Sequence, residues 1–200
     1  MNGPMDSPDP TGQPKAELRR LWRWRRQQAM AAGAGTAILA AVQRWLAAEP
    51  PGPGHLGLYW PLTGEPDLRP LALLHGGPLA LPAVEEGPTG ARLVYRPWRR
   101  GLDLVADACG IPAPPPAPPL AAEDLAVLLV PALACDGCGI RLGYGGGWYD
   151  RLRADPAWRR RMALMVLPRC CRVARLPADA WDVPFNGWID EQGPMMVSNP

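Results

Sequence analysis

The sequence has little lysine, little net charge and no long hydrophobic run, and each shortage argues against a class of protein. Lys15 is its only lysine beside twenty arginines, and the formal net charge is only +2. A nucleic-acid-binding domain is expected to be strongly basic with clustered cations, so we expect no nucleic-acid partner. The apolar stretch from Ala29 to Val42 follows the basic residues 19–26 but falls short of the ~18 residues that suggest a membrane span. No small-residue cleavage site closes that stretch, so we expect neither a signal peptide nor association with a membrane.

The cysteines are few and odd in number, which does not match a secreted disulfide framework. A reducing cytoplasm is therefore the expected location. Cys135 and Cys138 form a C-x-x-C pair that could hold zinc or act in redox chemistry, or could belong to a loop that turns on Gly137. A zinc site needs a second ligand pair at suitable spacing, and the adjacent Cys170 and Cys171 fit that role poorly.

Proline and glycine clusters divide the chain into short apolar segments. Residues 1–13 are polar and rich in proline and glycine, which predicts a disordered tail, and residues 14–200 fit one domain. From Pro14 the apolar residues recur at helical spacing. Thr36 is placed to cap a second helix that ends near Ala48.

Beyond this helical region, apolar runs alternate with helical segments. Strands are predicted over residues 55–60, 79–84, 92–95, 125–133, 163–167 and 187–190, and helices over residues 67–74, 148–154 and 170–175. The run over residues 125–133 is almost unbroken, which is typical of a strand covered on both faces. The alternation predicts an α/β fold, a three-layer αβα domain with a largely parallel central sheet.

A glycine-rich loop over residues 143–147 follows the strongest predicted strand. Its glycines permit positive φ and leave backbone N–H groups free to converge on an anion such as phosphate. Arg141 can add a charge-assisted contact, and the Asp150 carboxylate can hold magnesium. The spacing matches neither G-x-x-x-x-G-K-[ST] nor G-x-G-x-x-G, so the glycines alone leave a simple chain reversal open.

The phrase around this loop is far more specific than its glycines. Residues 130–151 read V-P-A-L-A-C-D-G-C-G-I-R-L-G-Y-G-G-G-W-Y-D-R. They closely resemble the V-P-G-L-A-F-D-x-x-G-x-R-L-G-x-G-x-G-Y-Y-D-R signature of 5-formyltetrahydrofolate cyclo-ligases, also called methenyltetrahydrofolate synthetases. Fainter likenesses to that family are K-A-E-L-R from Lys15, Y-W-P from Tyr59, E-P-D from Glu65, G-I-P-A-P from Gly110 and W-D-V-P from Trp181.

The resemblance implies an ATP- and magnesium-dependent ligase that acts on a small-molecule folate. In that reaction the formyl oxygen of 5-formyltetrahydrofolate is phosphorylated, the nitrogen at folate position 10 attacks the activated carbon, and 5,10-methenyltetrahydrofolate, ADP and phosphate result. The implied ATP-binding residues are Lys15, Arg19, Arg141, Gly143, Tyr144, Gly145, Gly146, Gly147, Trp148, Tyr149 and Asp150. The implied folate-binding residues are Trp60, Glu65, Trp148 and Tyr149. Arg141 and Tyr149 are the implied catalytic residues, Asp150 is the implied magnesium ligand, and a cytoplasmic monomer is expected.

The sequence also departs from the pattern of that family. Ala83 stands where a basic residue is common, Ala113 replaces the loop glutamate, Cys135 replaces an aromatic residue, Trp148 replaces the first tyrosine, and Asn186 replaces an aspartate. None of these departures falls on Lys15, Arg141, Tyr149 or Asp150, so the core of the implied ATP site is intact and the departures bear mainly on the folate side.

Several alternatives stay open at the level of sequence. The chain could be a relative that binds nucleotide or folate without turnover, or another ATP-dependent enzyme of the same fold. Its first helix, rich in arginine and tryptophan, could instead bind nucleic acid, with an affinity that falls steeply with salt. Trp60 and Trp148 could be core residues, and Asp150 could only cap or salt-bridge the helix that it opens.

Overall fold

The computed structural model describes residues 14–88 and 90–197. The predicted tail over residues 1–13 lies outside the described residues. The helices are α1 (Lys15–Ala31), α2 (Ala34–Ala48), α3 (Leu71–Leu74), α4 (Trp148–Ala154) and α5 (Pro156–Arg159), with 3-10 turns at Ala122–Asp124 and Arg169–Cys171. The strands are β1 (His55–Gly57), β2 (Leu79–Gly87), β3 (Gly90–Trp98), β4 (Val105–Ala106), β5 (Pro112–Ala113), β6 (Leu125–Pro131), β7 (Ala134–Asp136), β8 (Arg141–Leu142), β9 (Met162–Val166), β10 (Arg172–Val173), β11 (Gly187–Asp190) and β12 (Gly193–Met196).

The large sheet has the strand order β12-β11-β9-β6-β1-β2-β3. Neighbouring strands from β11 to β2 run parallel, whereas the edge strands β3 and β12 are antiparallel to their neighbours. Strand β1 lies between β2, which follows it in sequence, and the much later β6, so the strand order reverses between β1 and β6. Open α/β sheets bind ligands beyond the carboxyl ends of their strands at such a switch point.

Two apolar clusters cover opposite faces of this sheet. On β6, Leu128 and Val130 belong to one cluster, whereas Val127 and Leu129 belong to the other. Successive side chains of a strand point to opposite faces, so β6 is a central strand buried on both sides. Helices α1, α4 and α5 contribute to the first cluster, and α2 and α3 to the second. The predicted α/β fold with a largely parallel central sheet is confirmed, and the layers are helix, sheet and helix.

Three predicted helix bounds are wrong. Helix α2 begins at Ala34, ahead of Thr36, because Gly33 at φ 92° reverses the chain directly after α1. The helix predicted over residues 67–74 is confined to Leu71–Leu74, because Asp67 accepts a hydrogen bond from the Arg69 main-chain N–H and because Arg69 precedes Pro70. The helix predicted over residues 170–175 is a 3-10 turn followed by β10, which pairs with β7.

Strand β12 was not predicted, since Gly193 and Pro194 give its sequence no strand periodicity. It nevertheless pairs with β11 over Gly187–Asp190 and closes that edge of the sheet. Among the described residues, the structure contains no helix that is both long enough and apolar enough to cross a membrane.

Candidate active site

The glycine loop lies beyond the carboxyl ends of β1 and β6, at the switch point of the sheet. Strand β8, which precedes the loop, is held by β7 in a small sheet of order β10-β7-β8. The loop over residues 143–147 then leads directly into α4. Gly145 at φ 105° and Gly147 at φ 63° adopt the left-handed conformation, which a residue with a Cβ rarely does. The backbone of the loop therefore depends on glycine at these two positions.

On one side of the loop lies a basic cavity of about 440 Å³. Its lining includes Lys15, Arg19, Arg141, Leu142, Gly143, Gly145, Gly146, Gly147, Asp150, Arg151, Asp179, Trp181 and Asp182. Cationic side chains and glycine backbone thus meet in one open space. We refer to it as the basic cavity.

The first turns of α1 supply the cations at the rim of the basic cavity. The Lys15 ammonium lies 2.6 Å from an Asp179 carboxylate oxygen and 2.8 Å from one of Asp182. Burial lowers the pKa of Lys15, but the two carboxylates more than compensate and the net shift is upward. The Arg19 Nε–H donates to the Gly143 carbonyl oxygen at 3.1 Å, so helix α1 is tied directly to the loop.

On the other side of the loop lies a narrower cavity of about 190 Å³ with aromatic walls. Its lining includes Tyr59, Trp60, Leu62, Glu65, Pro82, Val84, Ile111, Pro131, Arg141, Tyr144, Gly146, Gly147, Trp148 and Tyr149. We refer to it as the ring cavity. All four residues implied to bind folate, which are Trp60, Glu65, Trp148 and Tyr149, line this one space.

Arg141 lines both cavities. Its Nη1 donates to the Pro131 carbonyl oxygen at 3.3 Å, and its Nη2 lies 3.5 Å from an Asp150 carboxylate oxygen. The guanidinium also lies over the Tyr149 ring, 5.2 Å from its centroid. These contacts fix the cation at the boundary between the two spaces.

Among the described residues, two carboxylates line the ring cavity, those of Glu65 and Asp107. Its Oε2 accepts a hydrogen bond from the Leu62 N–H at 2.8 Å, and its Oε1 lies 3.6 Å from Nη1 of Arg26. Burial raises the pKa of Glu65, and the Leu62 N–H and the Arg26 charge offset only part of that rise. Oε1 has no hydrogen-bond partner among the described residues, so it is available to a donor from a ligand.

The aromatic hydroxyls nearby stay protonated at neutral pH. Burial raises the pKa of Tyr149 to about 12 and also raises that of Tyr144. The side chain of Tyr144 lines the ring cavity, where its hydroxyl accepts a hydrogen bond from Arg26. Tyr144 was predicted to bind ATP through the loop, but its side chain lines the ring cavity and not the basic cavity, and the hydrogen bond from Arg26 holds it there.

Asp150 lies in the first turn of α4, and its carboxylate borders the basic cavity. Its contact with Arg141 at 3.5 Å is long for a hydrogen bond, so the carboxylate is weakly engaged. Within residues 14–88 and 90–197, no three His, Cys, Asp or Glu side chains come together as a metal site. Magnesium does not require such a cluster, because it is commonly bound by one or two carboxylates together with water and substrate phosphates.

Sequence reasoning missed the ion pairs that Lys15 forms and the burial of Arg26. The W-D-V-P likeness placed Asp182 near the nucleotide, but the pairing of Asp179 and Asp182 with Lys15 joins positions more than 160 residues apart and leaves no local signal. Arg26, among the basic residues 19–26, was assigned no site role from the sequence, and it is fully buried. Its spacing to Lys15, Arg19 and Trp22 puts it on the same face of α1 and could have revealed it.

Two departures from the family pattern come together in space. Ala83 of β2 and Ala113 of β5 are both buried in one small cluster with Val94. The neighbours Pro82 and Val84 line the ring cavity, but Ala83 does not. The basic residue and the glutamate that the family pattern has at these positions would therefore face each other, and here two small apolar residues take their place.

Two other departures, Cys135 and Asn186, lie in the core and beside the sheet. Cys135 is fully buried in the core, and burial raises the pKa of its thiol well above the usual range. The Asn186 Oδ1 accepts a hydrogen bond from the Ala163 N–H at 2.9 Å and so joins the start of β11 to β9. Asparagine in place of the family's aspartate at position 186 thus contributes a hydrogen bond to the sheet.

The C-x-x-C segment forms a turn. Asp136 accepts hydrogen bonds from the Cys138 and Ile140 N–H groups at 2.9 and 3.0 Å. The turn was predicted to depend on Gly137, but Gly139 is the residue with positive φ, at 81°. A Cβ at Gly139 would lie 2.4 Å from the Phe185 carbonyl oxygen, so close packing adds to the requirement for glycine.

The sheet, the loop and the two cavities define a class of protein, an α/β domain that joins a basic cavity to an aromatic one across a glycine loop. A model of the 5-formyltetrahydrofolate cyclo-ligase family matches residues 12–189. The chain belongs to that family.

Individual relatives agree with this assignment. The 5-formyltetrahydrofolate cyclo-ligase of Mycolicibacterium smegmatis is 41% identical over 101 residues, which cover 46% of this chain and 51% of that protein. The 5-formyltetrahydrofolate cyclo-ligase of Haemophilus influenzae is 39% identical over 65 residues, 32% of this chain and 34% of that protein. The matches thus span about a third to a half of these relatives' lengths. The NMR structure of Aquifex aeolicus 5,10-methenyltetrahydrofolate synthetase shares 28% identity and a TM-score of 0.72, covering 93% of this chain and 94% of that one.

Proposed function

We propose that this protein is an ATP-dependent 5-formyltetrahydrofolate cyclo-ligase. It transfers the terminal phosphoryl group of ATP to the formyl oxygen of 5-formyltetrahydrofolate. The nitrogen at position 10 then attacks the formyl carbon, the oxygen leaves as phosphate, and that nitrogen loses its proton. The products are 5,10-methenyltetrahydrofolate, ADP and phosphate.

One observation carries this proposal above its alternatives, and it is the shared boundary of the two cavities. Arg141, Gly146 and Gly147 line the basic cavity and the ring cavity alike. A phosphoryl group held in the first cavity and an acceptor oxygen held in the second would meet at this boundary. Phosphoryl transfer needs little from a protein beyond positioning and charge stabilisation, and the boundary offers a fixed cation and backbone donors for both tasks.

The cations of the basic cavity take the phosphate charge in this scheme. In this scheme Lys15 and Arg19 contact the phosphates from α1. Arg141, at the boundary of the two cavities, stabilises the charge of the phosphoryl group that is transferred. Glycine N–H groups act as fixed dipoles, which cost no reorganisation during the reaction. Tyr149 acts as a hydrogen-bond donor, because a phenol with a pKa of about 12 does not serve as a base at neutral pH.

The ring cavity takes the folate. Trp60 and Trp148 supply flat apolar surface for its rings, and Glu65 supplies the acceptor for N–H groups on the ring edge. Such a site discriminates strongly, because an analogue that lacks the donors leaves a buried carboxylate without a partner. Ala83 and Ala113, which replace the family's polar residues, lie in a separate small cluster and do not line this cavity. This supports a folate site that the two replacements leave unchanged.

Magnesium would be held by Asp150 together with phosphate oxygens of ATP. When bound, it would supply a hard positive charge that neutralises charge on the phosphates. The position of Asp150 at the rim of the basic cavity and its long contact with Arg141 support this role.

The test is a spectrophotometric assay of the purified protein with 5-formyltetrahydrofolate, ATP and magnesium. We expect the near-ultraviolet absorbance of the methenyl product to grow, with ADP formed in equal amount, only when all three are present. ADP without methenyl product would identify another ATP-dependent enzyme. Binding of both ligands, seen by calorimetry, without either product would identify a relative that lacks turnover, and each of these results would overturn the proposal.

A further inference from the structure

We propose that Arg26, which lies behind the wall of the ring cavity, is the positioning residue that holds Glu65 as an acceptor and orients the Tyr144 hydroxyl beside it. The role in catalysis rests on the proposed function, because it concerns recognition of the folate ring. The placement itself concerns two side chains of this protein and can be tested without any turnover.

Arg26 is enclosed from every side. Its side chain is 0% exposed and that of Glu65 is 1% exposed. Nη1 donates to the Ala132 carbonyl oxygen at 3.3 Å and lies 3.6 Å from Oε1 of Glu65. Nη2 donates to the Tyr144 hydroxyl, and the guanidinium lies over the Tyr144 ring, 5.3 Å from its centroid. One planar cation therefore contacts an acid from the segment after β1, the end of the β6 strand region and the glycine loop.

The electrostatics explain why a cation is placed here. Burying a carboxylate without a counter-charge is costly, and the usual response is protonation. A protonated Glu65 would present a donor to the cavity and would repel the N–H edge of an aminopyrimidine ring. Arg26 opposes that change, since its guanidinium places a positive charge 3.6 Å from Oε1 of Glu65. Arg141 adds a second, more distant cation, the hydroxyls of Tyr59, Tyr144 and Tyr149 also lie near Glu65, and Asp107 lines the same cavity.

Arg26 also sets the direction of a proton. Because the Tyr144 oxygen accepts from Arg26, the Tyr144 hydroxyl hydrogen is directed away from the guanidinium. The hydroxyl is then a donor toward the space that Glu65 and the ligand share. A single point charge could not do both tasks, whereas the guanidinium fork reaches two partners in one plane.

The first test measures Glu65 directly. Protein labelled with carbon-13 at glutamate carboxyls is titrated by NMR, and Glu65→Gln assigns the resonance. We expect Arg26→Gln to raise the titration midpoint of Glu65 by about one pH unit or more, which corresponds to about 1.4 kcal/mol. Arg153→Gln is the matched control, because Arg153 is also buried but contacts the Arg161 and Pro184 carbonyl oxygens instead. An unchanged midpoint in Arg26→Gln would overturn the proposal.

The second test separates charge from geometry. Arg26→Lys keeps the cation and loses the fork, so we expect the Glu65 midpoint to stay near the wild-type value while the KM for 5-formyltetrahydrofolate rises about tenfold, in line with a charge-assisted hydrogen bond. The kcat and the KM for ATP should change much less. If the KM for 5-formyltetrahydrofolate and the KM for ATP rose by the same factor, Arg26 would have a merely structural role.

A third arm guards against variants that fail to fold. If the NMR spectrum of Arg26→Gln lacks dispersion, Arg26→Lys in the Glu65→Gln background gives the answer. We expect the added Arg26→Lys change to have little further effect on KM there, because the fork acts on the ligand by positioning the Glu65 carboxylate, and that carboxylate is already absent. A further tenfold rise would refute the pairing. Wild-type protein without turnover would refute the proposed function instead, and the carbon-13 titration would still decide the placement of Glu65.

Discussion

Replacement of Lys15 by alanine tests whether the basic cavity is a phosphate site. The Lys15 ammonium contacts Asp179 and Asp182 at 2.6 and 2.8 Å and lines the cavity. Its loss removes one positive charge and leaves two carboxylates without their partner. Both changes would disfavour the polyphosphate of ATP, whereas the ring cavity, where we propose that folate binds, lies across the glycine loop.

The magnitude follows from the exposure of the side chain. Two unit charges 4 Å apart interact by about 1 kcal/mol in water and about 4 kcal/mol at an effective dielectric constant of 20. The Lys15 side chain is 24% exposed, so an intermediate value of about 2 kcal/mol applies. With 1.4 kcal/mol for each factor of ten, the KM for ATP should rise about thirtyfold in Lys15→Ala. The KM for 5-formyltetrahydrofolate should stay within about threefold of the wild-type value, because Lys15 does not line the ring cavity.

Steady-state kinetics at saturating concentrations of the other substrate give both KM values. Arg20→Ala is the matched control, since Arg20 is an exposed cation on the same helix that does not line either cavity. The double variant Lys15→Ala with Asp182→Asn removes one of the stranded carboxylates and should recover part of the lost affinity. An equal rise in both KM values, or no recovery in the double variant, would refute the reasoning from charge.

Three further predictions concern other parts of the molecule. Asp150→Ala should keep the fold and lower magnesium-dependent kcat by at least about tenfold, as for lost metal contacts, and turnover that is unchanged at saturating magnesium would exclude the metal role. A hydrogen bond with Cys171 lowers the pKa of the exposed Cys170 to about 7, so its alkylation by iodoacetamide should accelerate as pH rises through about 7, because only the thiolate reacts; mass spectrometry reads the site, and a midpoint near 9 would contradict this. Ala83→Lys alone should lower the free energy of unfolding in urea by about 3 kcal/mol or more, because it buries an unpaired charge, and adding Ala113→Glu should restore part of it; simply additive losses would show that the two positions do not face each other.

The sequence predicted the framework of this site well, and the reason is local. The helix Trp148–Ala154 was predicted with its observed bounds, because the glycine loop ends at Gly147 and the apolar residues after it recur at helical spacing. Gly187–Asp190 was likewise predicted as a strand at its observed bounds. In both cases the neighbours in sequence determine the structure, so a single sequence is enough.

What could not be predicted depends on contacts between distant segments. The side chain of Tyr144 faces the ring cavity because Arg26 donates to its hydroxyl, and the two positions are 118 residues apart. Strand β12 exists because β11 offers it an edge, although Pro194 weakens any strand pattern of its own. The burial of Arg26 depends on the same tertiary packing, because its sequence neighbours are a row of exposed or partly exposed arginines.

The single lysine of the chain is informative about the chemistry of the basic cavity. An ammonium is a compact point charge with three donors, and at Lys15 two of them are directed at Asp179 and Asp182. The third can serve a ligand in the basic cavity, which Lys15 lines. A guanidinium at that place would spread its charge over a plane and pair side by side with one carboxylate, which suits a bidentate contact better than a convergence of several oxygens. In a chain where every other strong cation is arginine, the use of lysine at this position suits a site where two carboxylates and the phosphate that we propose share one small charge.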